Sequence, residues 1–287
     1  MTSTVLANRR AFLRNGLLAS AALMTAITPR RALGEVTKSP ADPFKGLKLG
    51  MASYTFREFP LDEAIEMTKK AGVKYITLKD FHLPMKSTPE QRAEARRKVE
   101  AGGLVLMGGG VIYMKNDEAD IRSAFDYARD AGMPTIVCSP EPAGLDTVEK
   151  FAKQYDIRIA IHNHGPGDKK YPSPRDVLQL VKDRDSRMGI CMDVGHTVRI
   201  GEDPVAAIKD CASRLYDFHF KDVTAPTEKG AATEVGKGVI DIIGVLKALL
   251  DIKFPYHLAL EYEANGKNPL PGVIESFAFT RGALAAM

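Results

Sequence analysis

From residue 47 onward, short apolar runs alternate with stretches whose apolar residues recur every three or four positions. The runs are LKLGMASYTF (47–56), VKYITLKD (73–80), LVLMGGGVIYM (104–114), PTIVCSP (134–140), IRIAIHNH (157–164), RMGICMDV (187–194), LYDFHFKDV (215–223) and YHLALEYE (256–263). The spacing between them predicts helices near 61–71, 89–101, 117–131, 144–155, 173–183, 203–212 and 239–250, with a last one near 273–284. Strands that each lead into a helix, eight times over about 240 residues, predict an α/β fold of the (β/α)8 TIM barrel type as a single domain over 47–287. A doubly wound open sheet is the alternative, but the first strand lacks the Gly-rich phosphate loop that would favour it.

In a closed barrel, alternate strand side chains face the interior and the helix layer. In the fifth run Ile157, Ile159 and Ile161 face the helices, and Arg158, Ala160, His162 and His164 face inward. The same rule turns Tyr75, Thr77 and Lys79 inward in the second run, and Cys191 and Asp193 in the sixth. It turns Asp217, His219 and Lys221 inward in the seventh, leaving Tyr216, Phe218 and Phe220 outside. In the eighth it places His257, Ala259, Glu261 and Glu263 inside. Barrel enzymes hold their chemistry at the C-terminal ends of the strands. Four consecutive runs therefore offer one metal ligand each at matching depth: His162, Asp193, His219 and Glu261. Two imidazoles and two carboxylates suit Mn, Zn or Co better than Mg, which prefers oxygen donors. His164, Lys79 and Lys221 are candidates to move protons or to stabilise an enediolate. His196, Tyr54 and His82 are candidates to touch substrate, whereas His257 starts its run far from the mouth and reads as structural.

The first 34 residues have another character. Arg9-Arg10, then Phe12-Leu13, precede a small-residue apolar run from Gly16 to Ile27, the pattern of a twin-arginine export signal. A linker follows over 35–46. The expected partner of this segment is the twin-arginine export machinery, the expected location the periplasm, and no stable membrane span is expected in the mature protein. The 40 basic and 36 acidic residues of the chain include five arginines and no acid within 1–34; without that segment the balance is 35 to 36. A near-neutral barrel gives no electrostatic case for binding nucleic acid, which also argues against a DNA-repair endonuclease. Three cysteines, Cys138, Cys191 and Cys211, are too few and too scattered for a disulfide framework and read as free thiols.

MDVGH (192–196), DFHFKD (217–222), VGKGVID (235–241) and LALEYE (258–263) together resemble the xylose isomerase-like sugar isomerase/epimerase superfamily, and the resemblance runs through the chain from LGMASYTF onward. It implies a metal-dependent barrel that isomerises or epimerises ketoses and related polyols. It also implies that Asp193, His219 and Glu261 are ligands of one divalent ion, with Glu261 the family-like base. His162 stands where the family commonly has Glu, so the family's two-carboxylate proton relay does not carry over. KDFHLP (79–84) resembles exported relatives, some of which hydrate or eliminate at 3-keto-glycosides.

These readings converge on a divalent-metal-dependent isomerase or epimerase acting through an enediolate on an unphosphorylated sugar or keto-sugar. A lyase or hydratase acting on 3-keto-glycosides by the same enolisation is one alternative. A non-catalytic periplasmic sugar-binding protein is another.

Overall fold

The computed structural model describes residues 42–287; the predicted export signal and most of the linker lie outside the described residues. Eight parallel strands close into a barrel. In chain order they are β1 (Lys48–Ala52), β2 (Tyr75–Leu78), β3 (Val105–Met114), β4 (Thr135–Pro140), β5 (Arg158–His162), β6 (Met188–Asp193) and β7 (Leu215–Phe220). After a two-residue antiparallel pair, β8 (Asp222–Val223) and β9 (Ala232–Thr233), comes the last barrel strand, β10 (His257–Leu260). Each barrel strand pairs with its predecessor, and β1 pairs with both β2 and β10, which seals the sheet. The chain is thus the single-domain TIM barrel that its periodicity predicts.

The helices form where local chemistry starts them. α1 (Leu61–Lys70) carries Asp62 and Glu63 in its first turn and Lys69 and Lys70 in its last, matching the helix dipole at both ends. Before α2 (Pro89–Ala101), Thr88 and Gln91 form a reciprocal capping box. α3 (Glu118–Ala131) is capped by Asp117, and α4 (Leu145–Tyr155) follows a short 3-10 turn. Ser173 and Asp203 cap α5 (Pro174–Val181) and α7 (Pro204–Cys211), each with Pro at the first helical position, where its missing N–H costs nothing. α8 (Ile242–Asp251) and α9 (Leu270–Ala285) complete the ring. Among the described residues no helix is long and apolar enough to cross a membrane.

One short helix adds to those that the spacing predicts: α6 (Val194–Arg199), formed directly at the end of β6. Asp193 is its N-cap, accepting from the His196 amide at 2.8 Å. The main core lies between strands and helices, with Ile159, Ile161, Ile190, Phe218 and Phe220 all buried in it. Phe44, inside the predicted linker, also packs there.

The alternation fails once. Tyr216 does not face the helices; it packs with Val137, Ala160 and Cys191. The β6–β7 register slips between Ile190 and Cys191, which pair with Leu215 and Asp217, so Tyr216 is an extra residue in its strand. Gly189 makes room for it: a Cβ there would lie 2.2 Å from the Tyr216 ring. The phenol donates to the carbonyl of Ser186.

Candidate metal centre and active site

The C-terminal ends of β5, β6, β7 and β10 bring His162, Asp193, His219 and Glu261 together. Asp193 Oδ2, His219 Nδ1 and Glu261 Oε2 form a set that one ion could bridge. His219 Nδ1 is 3.3 Å from Glu261 Oε2 and 3.9 Å from Asp193 Oδ2. His162 Nε2 lies 3.0 Å from His219 Nδ1 and 3.4 Å from Asp193 Oδ2. His162 also forms a second possible set with Cys191 and His219, deeper in the barrel. The sequence turns Cys191 inward but offers it only as a buried thiol, because its neighbours in the run are apolar and its approach to His162 and His219 exists only in the closed barrel.

A divalent ion fits this set on three counts. Donor atoms bound at about 2.0–2.2 Å to one ion stand about 3–3.5 Å apart, the range of most of these separations. Asp193 Oδ2 is fully buried and accepts no well-directed hydrogen bond. Finally, Asp193, Glu261 and Glu263 are three carboxylates gathered round one ammonium, that of Lys221, at 2.9, 2.6 and 2.6 Å. A surplus of negative charge on one buried and two half-buried carboxylates favours a cation.

The local sequence explains the convergence. In MDVGH, Asp193 divides its carboxylate: Oδ1 caps α6, and Oδ2 faces the cluster. The glycine lets Lys221 through, since a Cβ on Gly195 would be 2.7 Å from Lys221 Cδ. Asn163, between the two histidines of HNH, accepts from the Asp193 amide at 2.9 Å and donates to Thr197 Oγ1 at 3.3 Å. It locks β5 to β6, a task invisible without the pairing. In DFHFKD, buried Asp222 accepts from the amides of Gly236, Gly238 and Ile240 and so folds the VGKGVID loop.

Burial and charge set the protonation states. Burial drives His162 down to about 3, so its ring is neutral at physiological pH. Burial alone would raise Asp193 and Glu261, but the Lys221 ammonium holds both well below the usual carboxylate range. The same carboxylates overcome desolvation at Lys221 and hold its ammonium well above its ordinary value. Against burial, Glu261 raises His219. Beneath it, burial lifts Asp217 to about 6; its Oδ1 lies 3.5 Å from Cys191 Sγ and 3.9 Å from His219 Nε2.

The other expected residues divide. The His164 ring stands 4.4 Å from that of His162, with Nδ1 3.2 Å from Asp168 Oδ2 and Nε2 3.3 Å from the Tyr113 hydroxyl. His196 sits on α6 with its ring 6.0 Å from His162 and 6.0 Å from His164, and its buried Nδ1 has no partner. Burial lowers both His164 and His196, favouring neutral rings. Lys79 Nζ donates to the Val111 carbonyl at 2.8 Å and lies 5.8 Å from the Tyr113 ring. Tyr54 packs against Phe81 at 5.9 Å under the Arg57 guanidinium, and no contact ties it to the cluster. His82 stands apart from the cluster. It is buried, and its nitrogens face Ser53 Oγ at 2.9 Å and the Phe59 carbonyl at 3.0 Å, which makes it a clamp between loops. His257, as expected, is internal, with Nδ1 2.7 Å from Thr77 Oγ1.

Known proteins share this frame. An inosose dehydratase of Clostridium perfringens is 26% identical over 262 residues, 81% of this chain and 83% of that protein. With the Clostridium botulinum inosose dehydratase the identity is 28% over 149 residues, and there the match spans only 50% of the relative's length. The solved 3-keto-D-glucoside 4-epimerase of E. coli superposes with a TM-score of 0.67 at 15% identity, over 82% of this chain and 99% of that one, a likeness of fold. The family model for xylose isomerase-like TIM barrels matches residues 65–283, and the chain belongs to that family.

Proposed function

We infer that the protein is a divalent-metal-dependent sugar isomerase or epimerase, working through an enediolate on an unphosphorylated sugar or keto-sugar in the periplasm. The observation that carries this is the meeting of Asp193 Oδ2, His219 Nδ1 and Glu261 Oε2 at the barrel mouth beside His162. The mixed nitrogen and oxygen donors favour Mn, Zn or Co over Mg. A divalent ion held there would supply Lewis acidity to a ketone and its neighbouring hydroxyl.

The chain's own groups do the rest. Glu261, kept ionised by Lys221, is the base that takes the proton beside the carbonyl. The Lys221 ammonium, already among three carboxylates, balances charge as the enediolate develops. His164, oriented by Asp168 and Tyr113 and neutral at rest, takes up the substrate's hydroxyl proton and then returns a proton to the other carbon or face. Lys79 and the free Nδ1 of His196 hold substrate hydroxyls. The periplasmic location rests on the twin-arginine pattern of residues 1–34.

A second reading keeps the enolisation and ends in loss or addition of water, as in a lyase or hydratase on 3-keto-glycosides. The match to inosose dehydratases and the imidazole at position 162 favour it. Proton NMR in D2O on Mn-loaded protein, offered free ketoses and 3-keto-glucosides, separates the two. Chelator-sensitive deuterium uptake beside the carbonyl with a stereoisomer or aldose product is expected for the first. Deuterium uptake with loss of the aglycone or water addition moves the enzyme to the second. No uptake from either panel overturns both.

A further inference from the structure

We propose that the cavity beside the metal cluster, between the β2–α2 loop, the end of β3 and the first half of α3, is a subsite for a second, neutral sugar ring. The substrate is then a glycoside of at least two rings. The proposal rests on the reading of the central cluster as a sugar site, and it adds where the rest of the substrate lies.

The cavity has a volume of about 480 Å³; Lys79, Asp80, Lys86, Tyr113, Asp120 and Ser123 line it together with apolar residues of β3 and α3. Pockets of this size bury small ligands. Its two lysines and two aspartates cancel, which disfavours a charged occupant and suits a polyol. Hydroxyl, carboxylate and ammonium groups provide donors and acceptors, and Tyr113 provides an aromatic face. That face is available: Tyr113 is 65% exposed although it belongs to a barrel strand. Large exposed aromatics beside a polar cleft suit a ring with one apolar side and a hydroxylated rim.

Two shared residues join the cavity to the reaction site. Lys79 lines the cavity and is pinned by the Val111 carbonyl at the strand end. Tyr113 lines it too, and its hydroxyl reaches His164 Nε2, whose ring is 4.4 Å from His162. A ring bound over His162 and Glu261 therefore has its substituent directed along Tyr113 into this space.

Calorimetry on the full chain loaded with Mn²⁺ tests this with methyl β-D-glucoside and methyl β-cellobioside, full acetals that cannot enolise. The cellobioside is expected to bind about tenfold more tightly, a difference of about 1.4 kcal/mol. Tyr113→Ala removes the platform, and Ser123→Trp fills the cavity from an exposed position on α3. Each is expected to reduce the cellobioside advantage to about twofold or less. Equal affinities in the unmodified protein, or an advantage that survives Ser123→Trp in a protein of unchanged Tm, overturns the subsite. Failure to bind methyl β-D-glucoside at all overturns the sugar-site reading and the subsite with it.

Discussion

The two halves of the barrel follow the same strand rule and use it differently. On β5, β6, β7 and β10 the inward positions near the mouth are His162, Asp193, His219 and Glu261, all ionisable and nearly all buried. On β1 to β4 the inward positions Gly50, Thr77 and Val137 are small or neutral, with Lys79 the charged group beyond them. One half concentrates charge; the other packs closely, as where Gly50 admits the Tyr75 carbonyl and His257. An electrostatic site needs both, because preorganised charge acts strongly only where a rigid frame holds it away from water.

The largest expected effect tests the charged half. Lys221→Met leaves Asp193, Glu261 and Glu263 without their ammonium and should cost about 3–5 kcal/mol of stability in metal-free protein. Thermal melts with and without Mn²⁺ check it: the ion should restore most of the lost Tm, and no difference between the two melts would deny a cation site. Next, Asp193→Ala removes a proposed ligand and the α6 cap together. Activity should fall at least about 10²-fold, the scale of one lost charge-stabilising group, and ion affinity by calorimetry should fall with it. Unchanged affinity would move the ion elsewhere.

The small half is tested by Gly50→Ala. A Cβ there would lie 2.2 Å from the Tyr75 carbonyl oxygen and 2.6 Å from His257 Nε2. Overpacking of this sort costs about 1–3 kcal/mol, measurable by urea unfolding, with Mn²⁺ affinity largely retained. The last effect is graded and concerns pH. Burial lowers His257 to about 3, against 6.5 when unfolded. The unfolded chain thus takes up a proton that the fold refuses, and stability falls as pH drops below 6.5. His257 contributes about 1.4 kcal/mol per pH unit to that loss until the pH nears 3. Buried His162 acts in the same sense, and Asp217, lifted to about 6, partly opposes both between pH 6 and 4. Unfolding curves from pH 7 to 4 should be shallower for His257→Gln than for the unmodified protein; identical slopes would show that this ring is not kept neutral.

Much of the site is legible in the amino-acid sequence. Period-two alternation is a local property, so it turns His162, Asp193, His219, Lys221 and Glu261 toward one cavity from their strands alone. It fails at Tyr216, where a slipped register adds a residue that no run of apolar letters announces. It gives no guidance at His82, a loop residue to which no alternation applies. Ser53 and the carbonyls of Phe56 and Phe59, which take up its ring, come from another segment. α6 hides in the end of an apolar run, because its only start signal, Asp193, also reads as a candidate ligand.

The sequence by itself determined the order of strands and helices, the barrel, and which side chains turn inward, because each depends on spacing along a single segment. The tertiary structure decided what those side chains meet. Asn163 locks β5 to β6 across 30 positions of chain, Lys221 meets Glu261 across 40, and Tyr113 reaches His164 across 51. Such contacts exist only after the barrel has closed. Desolvation and mutual charge then select protonation states that no isolated strand possesses.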